Sequence, residues 1–334
     1  MKYLQIFTIS LIMFCASGCN NPKYPVTDGT DTKDSLINDV NIKSLEFLTV
    51  DTIINPRLAY LMNTLYRYAQ KEVPINDIHS YLKWMGKFRN IISNYYKETH
   101  KSNSISDFAM ADSVIAEMNT LCKLNKDGST AGIVTENNTK LSIFMFEQFN
   151  EYEKLNNVCK SEKEKEVLLA EFTEWLRLQN IFNEIFVNCV DLRYWGGTGS
   201  GPLRTKGALQ IWEAHASLYK KEYPLFKNRI SQLEGDGTLL IKSRNLLIDC
   251  CNKALDESYC PEDSEYMFEK GARYEAFYTK TKSLLKKLPE HIDAWCQSRQ
   301  GWANQTSPDC LYRSNSQLTS EVLIKLAHII SSVE

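Results

Sequence analysis

The fold is decided by residues 168–202, which read LLAEFTEWLRLQNIFNEIFVNCVDLRYWGGTGSGP. Apolar side chains recur every three or four residues for about six turns, which is the spacing of one helix face. That face comprises Leu168, Phe172, Trp175, Gln179, Phe182, Phe186 and Cys189. The glycine-rich run 196–201 should end the helix, and Pro202 is suited to the first turn of a return helix. One face of that second helix carries Ala208, Trp212, His215 and Tyr219. The stretch therefore predicts an antiparallel helical hairpin.

Similar periodicity on both sides of the hairpin predicts an all-α fold made of antiparallel helical hairpins. Low counts of glycine (14) and proline (9) agree with long helices and short connections. Loops are predicted at 126–140, which contains Gly128, Gly132 and two asparagines, and at 304–316. Pro289 should break or bend the helix that precedes the second loop. Further helices are predicted over 58–68, 78–96, 108–121, 239–255, from 264 or 274 to 302, and 318–330.

A faint repeat divides the chain into as many as three helical units. Trp84, Trp175 and Trp295 each lie in the middle of a predicted helix. Each tryptophan is followed after four or five residues by Arg89, Gln179 or Arg299. The predicted units are an N-terminal helical unit at 46–125, a central hairpin at 141–230 and a C-terminal helical unit at 238–334.

The amino terminus has the features of an export signal. Lys2 precedes an apolar run at 4–15, which is shorter than the roughly 20 residues needed to span a bilayer. The run ends in Ala16-Ser17-Gly18-Cys19, which resembles the lipobox of bacterial lipoproteins. The resemblance implies cleavage after residue 18 and a diacylglycerol on the Cys19 thiol, giving a membrane anchor. The alternative is an ordinary signal peptide with an incidental cysteine.

The polar stretch 19–45 is predicted to be a flexible tether between the lipid and the helical body. No acidic run follows Cys19. Some bacterial lipoproteins use such a run to reach the outer surface, so its absence favours an outer-membrane position that faces the periplasm. The predicted location is therefore the cell envelope.

Eight cysteines remain after the signal residue Cys15 and the lipidated Cys19 are set aside. Export to an oxidising compartment predicts disulfides among them, although spacing does not fix their connectivity. The best single candidate is Cys296 with Cys310, because a turn from helix into loop would bring them together. Zinc is the competing interpretation, but the adjacent Cys250 and Cys251, with Cys260 nearby, are poor joint ligands.

The composition argues against several functional classes. A formal net charge of −2 lacks the basic excess expected of a nucleic-acid-binding protein. Pro202 occupies the third glycine position of a dinucleotide motif, and no phosphate loop, His-Glu-x-x-His helix or Gly-x-Ser-x-Gly elbow is present. We therefore predict no enzyme activity, no cofactor and no metal, and we expect His215 to be a partnered core residue.

The glycine-rich run could be a simple flexible turn or a loop that contacts a partner. Aromatic and polar side chains flank its glycines, and loops carried on helices often bind other molecules. The candidate contact residues are Arg193, Tyr194, Trp195, Gly196, Gly197, Thr198, Gly199, Ser200 and Gly201.

Two segments resemble the LprI-type family of exported domains, which is named for lysozyme inhibition. The central match includes Gln179, Phe182, Cys189, Gly196-Gly197-Thr198 and the segment from Leu209 to about Tyr223. The C-terminal match includes Trp295, Arg299, Cys310 and the helix from Leu318-Thr319 to Leu326.

The sequence also departs from the family pattern. Phe182 stands where the family usually has tryptophan, and Phe186-Val187 where it has Arg-Asp. The second cysteine of the central unit is missing, and Val322 stands where arginine is common. The resemblance implies the hairpin fold and an anchored envelope protein that binds another protein and inhibits a lysozyme-type muramidase. The alternatives are a structural or assembly lipoprotein and an uncharacterised enzyme.

Overall fold

The computed structural model describes residues 56–70, 78–101, 104–124, 128–194, 197, 199–228, 237–259, 268–306 and 311–333. Every regular element in these ranges is a helix, which confirms the all-α class. The helices are α1 (Pro56–Gln70), α2 (Ile78–His100), α3 (Asp107–Leu124), α4 (Thr130–Val158), α5 (Glu162–Tyr194), α6 (Ser200–Asn228), α7 (Gly237–Ser258), α8 (Phe268–Thr306) and α9 (Leu311–Ser331).

The predicted central hairpin is formed by α5 and α6, and α4 packs parallel to α6. Near the turn, Asp191 of α5 pairs with Arg204 of α6 at 3.3 Å. At the other end of the hairpin, Glu171 accepts a hydrogen bond from Tyr219, so the two helices are antiparallel. Contacts between α4 and α6 advance in the same direction along both helices: Asn137 with Thr205, then Gln148 with His215.

The C-terminal helices follow the same plan. Helix α8 is antiparallel to α7, since the Arg244 Nη2 donates to Asp293 at 2.7 Å and the Tyr274 hydroxyl donates to the Ser258 carbonyl at 2.8 Å. It is also antiparallel to α5, because Lys280 pairs with Glu184 near one end and Trp295 bonds Glu171 further along. Helix α9 runs antiparallel to α6, as two ion pairs show: Lys221 with Glu321, and Glu213 with Lys325.

In chain order, the described helices can be taken in groups of three: α1–α3, α4–α6 and α7–α9. The tryptophans of the faint repeat, Trp84, Trp175 and Trp295, lie in the second helix of each group. Trp175 and Trp295 are buried and their rings pack 5.1 Å apart, whereas Trp84 is half-buried. The middle helices of the second and third groups, α5 and α8, therefore contact each other through these two tryptophans.

The predicted apolar face of α5 is confirmed, because every residue of it is buried. The same face continues into one hydrophobic core that includes side chains from all the described helices. Burying a large apolar side chain contributes about 1.5–3 kcal/mol, so this core supplies the main driving force for folding. Helices α5 and α6 approach closely at Gly207, where a Cβ would lie 2.0 Å from the Phe186 ring.

The predicted loop at 126–140 is wrong from Thr130 onward, where α4 begins. Ser129 caps this helix, and its Oγ accepts a hydrogen bond from the Gly132 N–H at 3.0 Å. The poor helix propensity of glycine and asparagine is outweighed by contacts of α4. Among them, the Asn137 Nδ2 donates to the Thr205 hydroxyl at 3.1 Å.

Two other boundaries differ from the sequence prediction. Helix α8 continues through Pro289, without the predicted break, and ends at Thr306. Helix α9 begins at Leu311, so the predicted loop at 304–316 is wrong at 304–306 and 311–316, and residues 307–310 lie outside the described residues. Proline removes one helical hydrogen bond, and the packing of α8 against α5, α7 and α9 on either side of residue 289 offsets that loss.

Several predicted features lie outside the described residues. They are the signal at 1–18, Cys19, the tether at 19–45, Trp195, Gly196, Thr198, Cys260 and Cys310. In the described part of the chain, no helix is both long enough and apolar enough to cross a bilayer.

Candidate functional site

The candidate contact loop connects α5 to α6. Its backbone forms a tight turn in which the Gly197 N–H donates to the Tyr194 carbonyl at 2.8 Å. The Ser200 N–H then donates to the Gly197 carbonyl at 3.1 Å. A Cβ on Gly197 would lie 3.0 Å from the Tyr194 carbonyl oxygen, so this close approach favours glycine.

The described loop residues divide into exposed and buried ones. Arg193, Gly197 and Gly199 are exposed, and Tyr194 is 37% exposed. Ser200 is buried at the start of α6, where its hydroxyl donates to the Gly197 carbonyl at 3.0 Å. Ser200 therefore closes the turn, and the side chains of Arg193 and Tyr194 are the ones accessible to a partner.

Helices α4, α5 and α6 fix the base of the loop. The Asp191–Arg204 ion pair joins the two arms of the hairpin, with side chains that are 16% and 19% exposed. Partial burial raises the pKa of Asp191 from its ordinary value, and the neighbouring guanidinium opposes that rise. The Asn137 Nδ2 donates from α4 to the Pro202 carbonyl at 3.4 Å and so braces the first turn of α6.

A buried polar network lies further from the loop, around the carboxylate of Glu171. The Glu171 Oε1 accepts hydrogen bonds from Trp295 Nε1 at 2.8 Å and from His215 Nε2 at 3.3 Å. Its Oε2 accepts a short hydrogen bond from the Tyr219 hydroxyl. Three donors from two other helices thus converge on one carboxylate that has no exposed surface.

Arg299 extends this network from Glu171 to a second buried carboxylate. Its guanidinium forms a bidentate pair with Glu222, in which Nη1 donates to Oε2 at 3.0 Å. The same Nη1 lies 3.6 Å from Glu171 Oε1, and the Arg299 Nε donates to the Thr319 hydroxyl at 3.3 Å. Arg299 is 1% exposed and connects α5, α6, α8 and α9.

Burial and charge set the protonation of the network. Hydrogen bonds from His215 and Tyr219 and the charge of Arg299 outweigh desolvation and lower the pKa of Glu171 to about 2. Burial lowers the pKa of His215, while burial raises that of Glu222. A neutral His215 that donates its Nε2 proton to Glu171 has a free electron pair on Nδ1. That Nδ1 accepts a hydrogen bond from the side-chain amide of Gln148, whose Nε2 lies 3.1 Å away.

The position of His215 confirms the prediction of a partnered core histidine. Its ring stacks on Trp175, with 4.3 Å between the ring centres, and the side chain has no exposed surface. Every ionisable member of the network is at most 4% exposed. The hydrogen bonds and ion pairs of this network hold four helices together. The sequence did not lead us to predict that Glu171 and Glu222 belong to it.

The described cysteines form no disulfide with one another. Burial raises the pKa of Cys122, Cys189 and Cys296 to about 12, which keeps these thiols protonated at neutral pH. Cys310, the proposed partner of Cys296, lies outside the described residues. Within the described ranges, no three His, Cys, Asp or Glu side chains converge as a metal site.

No family model, curated protein or solved structure matches this chain.

Proposed function

We propose that the chain is a lipid-anchored envelope protein that binds another protein through the loop at residues 193–201, and that it inhibits a lysozyme-type muramidase. The observation that carries the binding proposal is the exposed pair Arg193 and Tyr194 beside a hydrogen-bonded turn. Arginine and tyrosine are common anchors of protein interfaces. The backbone hydrogen bonds of Gly197 and Ser200 restrict the described part of the turn, which reduces the conformational entropy lost on binding.

We propose that this loop enters the substrate cleft of the muramidase. A loop can fill such a cleft without being turned over, because it offers no bond of the type that the enzyme cleaves. The Asp191–Arg204 pair and Asn137 hold in place the two helix ends from which the loop projects. The resemblance of segments 179–223 and 295–326 to LprI-type domains suggests the class of partner.

Replacing Arg193 and Tyr194 together by alanine should weaken inhibition of a purified lysozyme by at least about tenfold. The expected loss follows from the 1–2 kcal/mol that an anchor residue typically contributes. Inhibition would be measured as the rate of clearing of a cell-wall suspension at increasing concentrations of the full-length chain. The matched control is Arg177→Ala, an exposed position on the same helix. Equal inhibition by the double variant and the wild type would remove the loop from the proposal.

Mass spectrometry of the native product tests both the proposed lipid anchor and the proposed disulfide. We expect the intact mass of the native product to correspond to cleavage before Cys19 plus a diacylglycerol, with further acylation on the new amine. Any one disulfide would lower that mass by two hydrogens, and a disulfide-linked pair of proteolytic peptides that contain Cys296 and Cys310 would identify the proposed bond. Cys19→Ser should release the protein from the membrane fraction. An unmodified Cys19 in a membrane-free product would contradict the anchor.

A structural or assembly lipoprotein is the second candidate, and exposed apolar side chains on α7 favour it. Ile241 is 62% exposed, and Leu246 and Leu239 are 42% and 36% exposed. Leu239 and Leu246 are seven residues apart and therefore share one face of the helix, whereas Ile241 lies on another face. Exposed apolar side chains of this kind can contact another protein. This candidate predicts co-purification with envelope proteins through α7, with no effect on lysozyme activity.

A further inference from the structure

A pocket of about 230 Å³ lies where α4, α5, α6 and α8 meet, next to the base of the contact loop. It is smaller than the roughly 300–1,000 Å³ that is typical of drug-sized ligand sites, so it suits one small molecule. The buried network around Glu171 is separate, because none of its residues line the pocket. A ligand in the pocket would therefore leave that network undisturbed.

The ion pair of Asp191 and Arg204 lines the end of the pocket nearest the contact loop. The Arg204 Nη1 lies 3.3 Å from each oxygen of the Asp191 carboxylate. The Asp191 and Arg204 side chains are 16% and 19% exposed, so both keep surface that a ligand can reach. A ligand inside the pocket can therefore contact both charged groups at once.

Both members of this pair have hydrogen-bonding capacity left over. A guanidinium has five N–H donors, and within the described ranges Arg204 donates one hydrogen bond, to Asp191. A carboxylate can accept about four hydrogen bonds, and Asp191 accepts that single one from the described residues. Burial raises the pKa of Asp191 although the guanidinium is close, so a second cation beside it would stabilise its charged form. The pair can thus bind one further anion and one further cation side by side.

The part of the pocket beyond this pair is mainly apolar. Along α5 the lining extends from Asp191 past Val187 to Glu184, which is seven residues or about 10 Å away. At that far end Glu184 is itself paired with Lys280, at 2.6 Å. Small or apolar side chains line the space between, namely Leu141, Val187, Ala208, Ala276 and Phe277. A ligand with its charged groups on the Asp191–Arg204 pair would therefore direct an apolar group into this space.

A free α-amino acid with an apolar side chain matches these features. Its carboxylate and its ammonium group are attached to the same carbon atom, so they lie side by side, as the two charged groups of the pair do. A guanidinium binds a carboxylate through a planar fork of N–H groups, and a carboxylate accepts hydrogen bonds from an ammonium group. The charged side chains of the lining are two acids and two bases, so a zwitterion without net charge keeps the pocket balanced. A simple carboxylic acid would instead add an uncompensated negative charge beside Asp191.

We propose that this pocket binds a free α-amino acid with an apolar side chain, whose carboxylate and ammonium group are held by Arg204 and Asp191. The carboxylate accepts hydrogen bonds from the unused N–H groups of Arg204, and the ammonium group donates to the Asp191 carboxylate. The apolar side chain of the ligand packs against Val187, Ala208 and Phe277. The site goes beyond protein binding by the loop and does not depend on it.

The test is titration of the full-length chain with leucine, phenylalanine and glycine, followed by ligand-observed NMR. We expect saturable binding of leucine or phenylalanine, and at least about tenfold weaker binding of glycine, which has no side chain to bury. The N-acetyl and amide derivatives of the better-bound amino acid each lack one of its two charges and should also bind at least about tenfold more weakly. Arg204→Gln should weaken binding by at least about tenfold. Arg177→Gln, at an exposed position outside the pocket, is the matched control and should leave binding unchanged.

A second variant keeps the ion pair and fills the apolar part of the pocket, which separates binding from the role of Arg204 in the hairpin. Ala208→Phe places a ring where the side chain of the ligand would lie, so binding of leucine or phenylalanine should fall to the level of glycine. Lost binding with the melting temperature of the wild type supports the site. The proposal is overturned if neither leucine nor phenylalanine binds, or if glycine or either derivative binds equally well. It is also overturned if Ala208→Phe or Arg204→Gln binds like the wild type.

Discussion

Replacing Arg299 by methionine is expected to lower the free energy of unfolding by about 3–5 kcal/mol at neutral pH. The guanidinium contacts both Glu171 and Glu222, and all three side chains are at most 4% exposed. Without it, at least one buried carboxylate must either remain charged without a partner or take up a proton. A loss of this size is a large fraction of the 5–15 kcal/mol that typically stabilises a folded protein. Urea unfolding followed by circular dichroism measures it.

Two further variants separate the charge effect from loss of packing. Arg177→Met changes the same residue type at an exposed site and should cost less than about 0.5 kcal/mol. The double variant Arg299→Met with Glu222→Gln also removes the carboxylate that has lost its bidentate partner. Its free energy of unfolding should be at least about 1 kcal/mol higher than that of Arg299→Met alone. If the double variant is no more stable than Arg299→Met alone, the unpaired carboxylate is not the cause of the loss.

Much of the local structure was predictable because it depends on periodicity within one helix. The buried face of α5 follows directly from spacing, and each of its predicted members is buried. Arg299 follows Trp295 by four residues and precedes Trp302 by three, so the same spacing predicts that it lies on the apolar face of α8. A charged residue on such a face signals a buried partner, and this signal was present in the sequence.

The partners of Arg299 were harder to predict because they lie on other helices. Glu171 stands between Leu168 and Trp175 on the buried side of α5, and Glu222 is one turn beyond Tyr219 on α6. Both carboxylates interrupt an apolar face, so apolar spacing alone does not predict them. Their convergence depends on how α5, α6 and α8 pack, and one sequence does not fix that packing.

The loop predicted at 126–140 shows a different limit. Glycine and asparagine are weak helix formers, so local propensity favours a loop there. The structure continues as α4 because Ser129 caps the helix and Asn137 bonds the first turn of α6.

Replacing Glu171 by glutamine should lower the free energy of unfolding by about 3 kcal/mol at neutral pH. The carboxylate accepts hydrogen bonds from His215, Tyr219 and Trp295. A glutamine keeps the shape, but its NH₂ group must face at least one of these donors, and its oxygen carries no full charge. Glu166→Gln, at an exposed position on the same helix, is the matched control and should change stability little. Urea unfolding at pH 7 measures both.

The pH dependence of Glu171→Gln identifies the charge as the cause. The pKa of Glu171 is lowered from 4.5 to about 2 in the folded protein, so the unfolded chain binds its proton first as the pH falls. The stability contributed by this carboxylate is present above pH 4.5 and is lost as the pH falls towards 2. Between pH 5 and pH 3 the wild type should therefore lose about 2 kcal/mol more than Glu171→Gln. Parallel pH profiles for the two proteins would mean that the shape of residue 171, and not its ionisation, stabilises the packing of α5, α6 and α8.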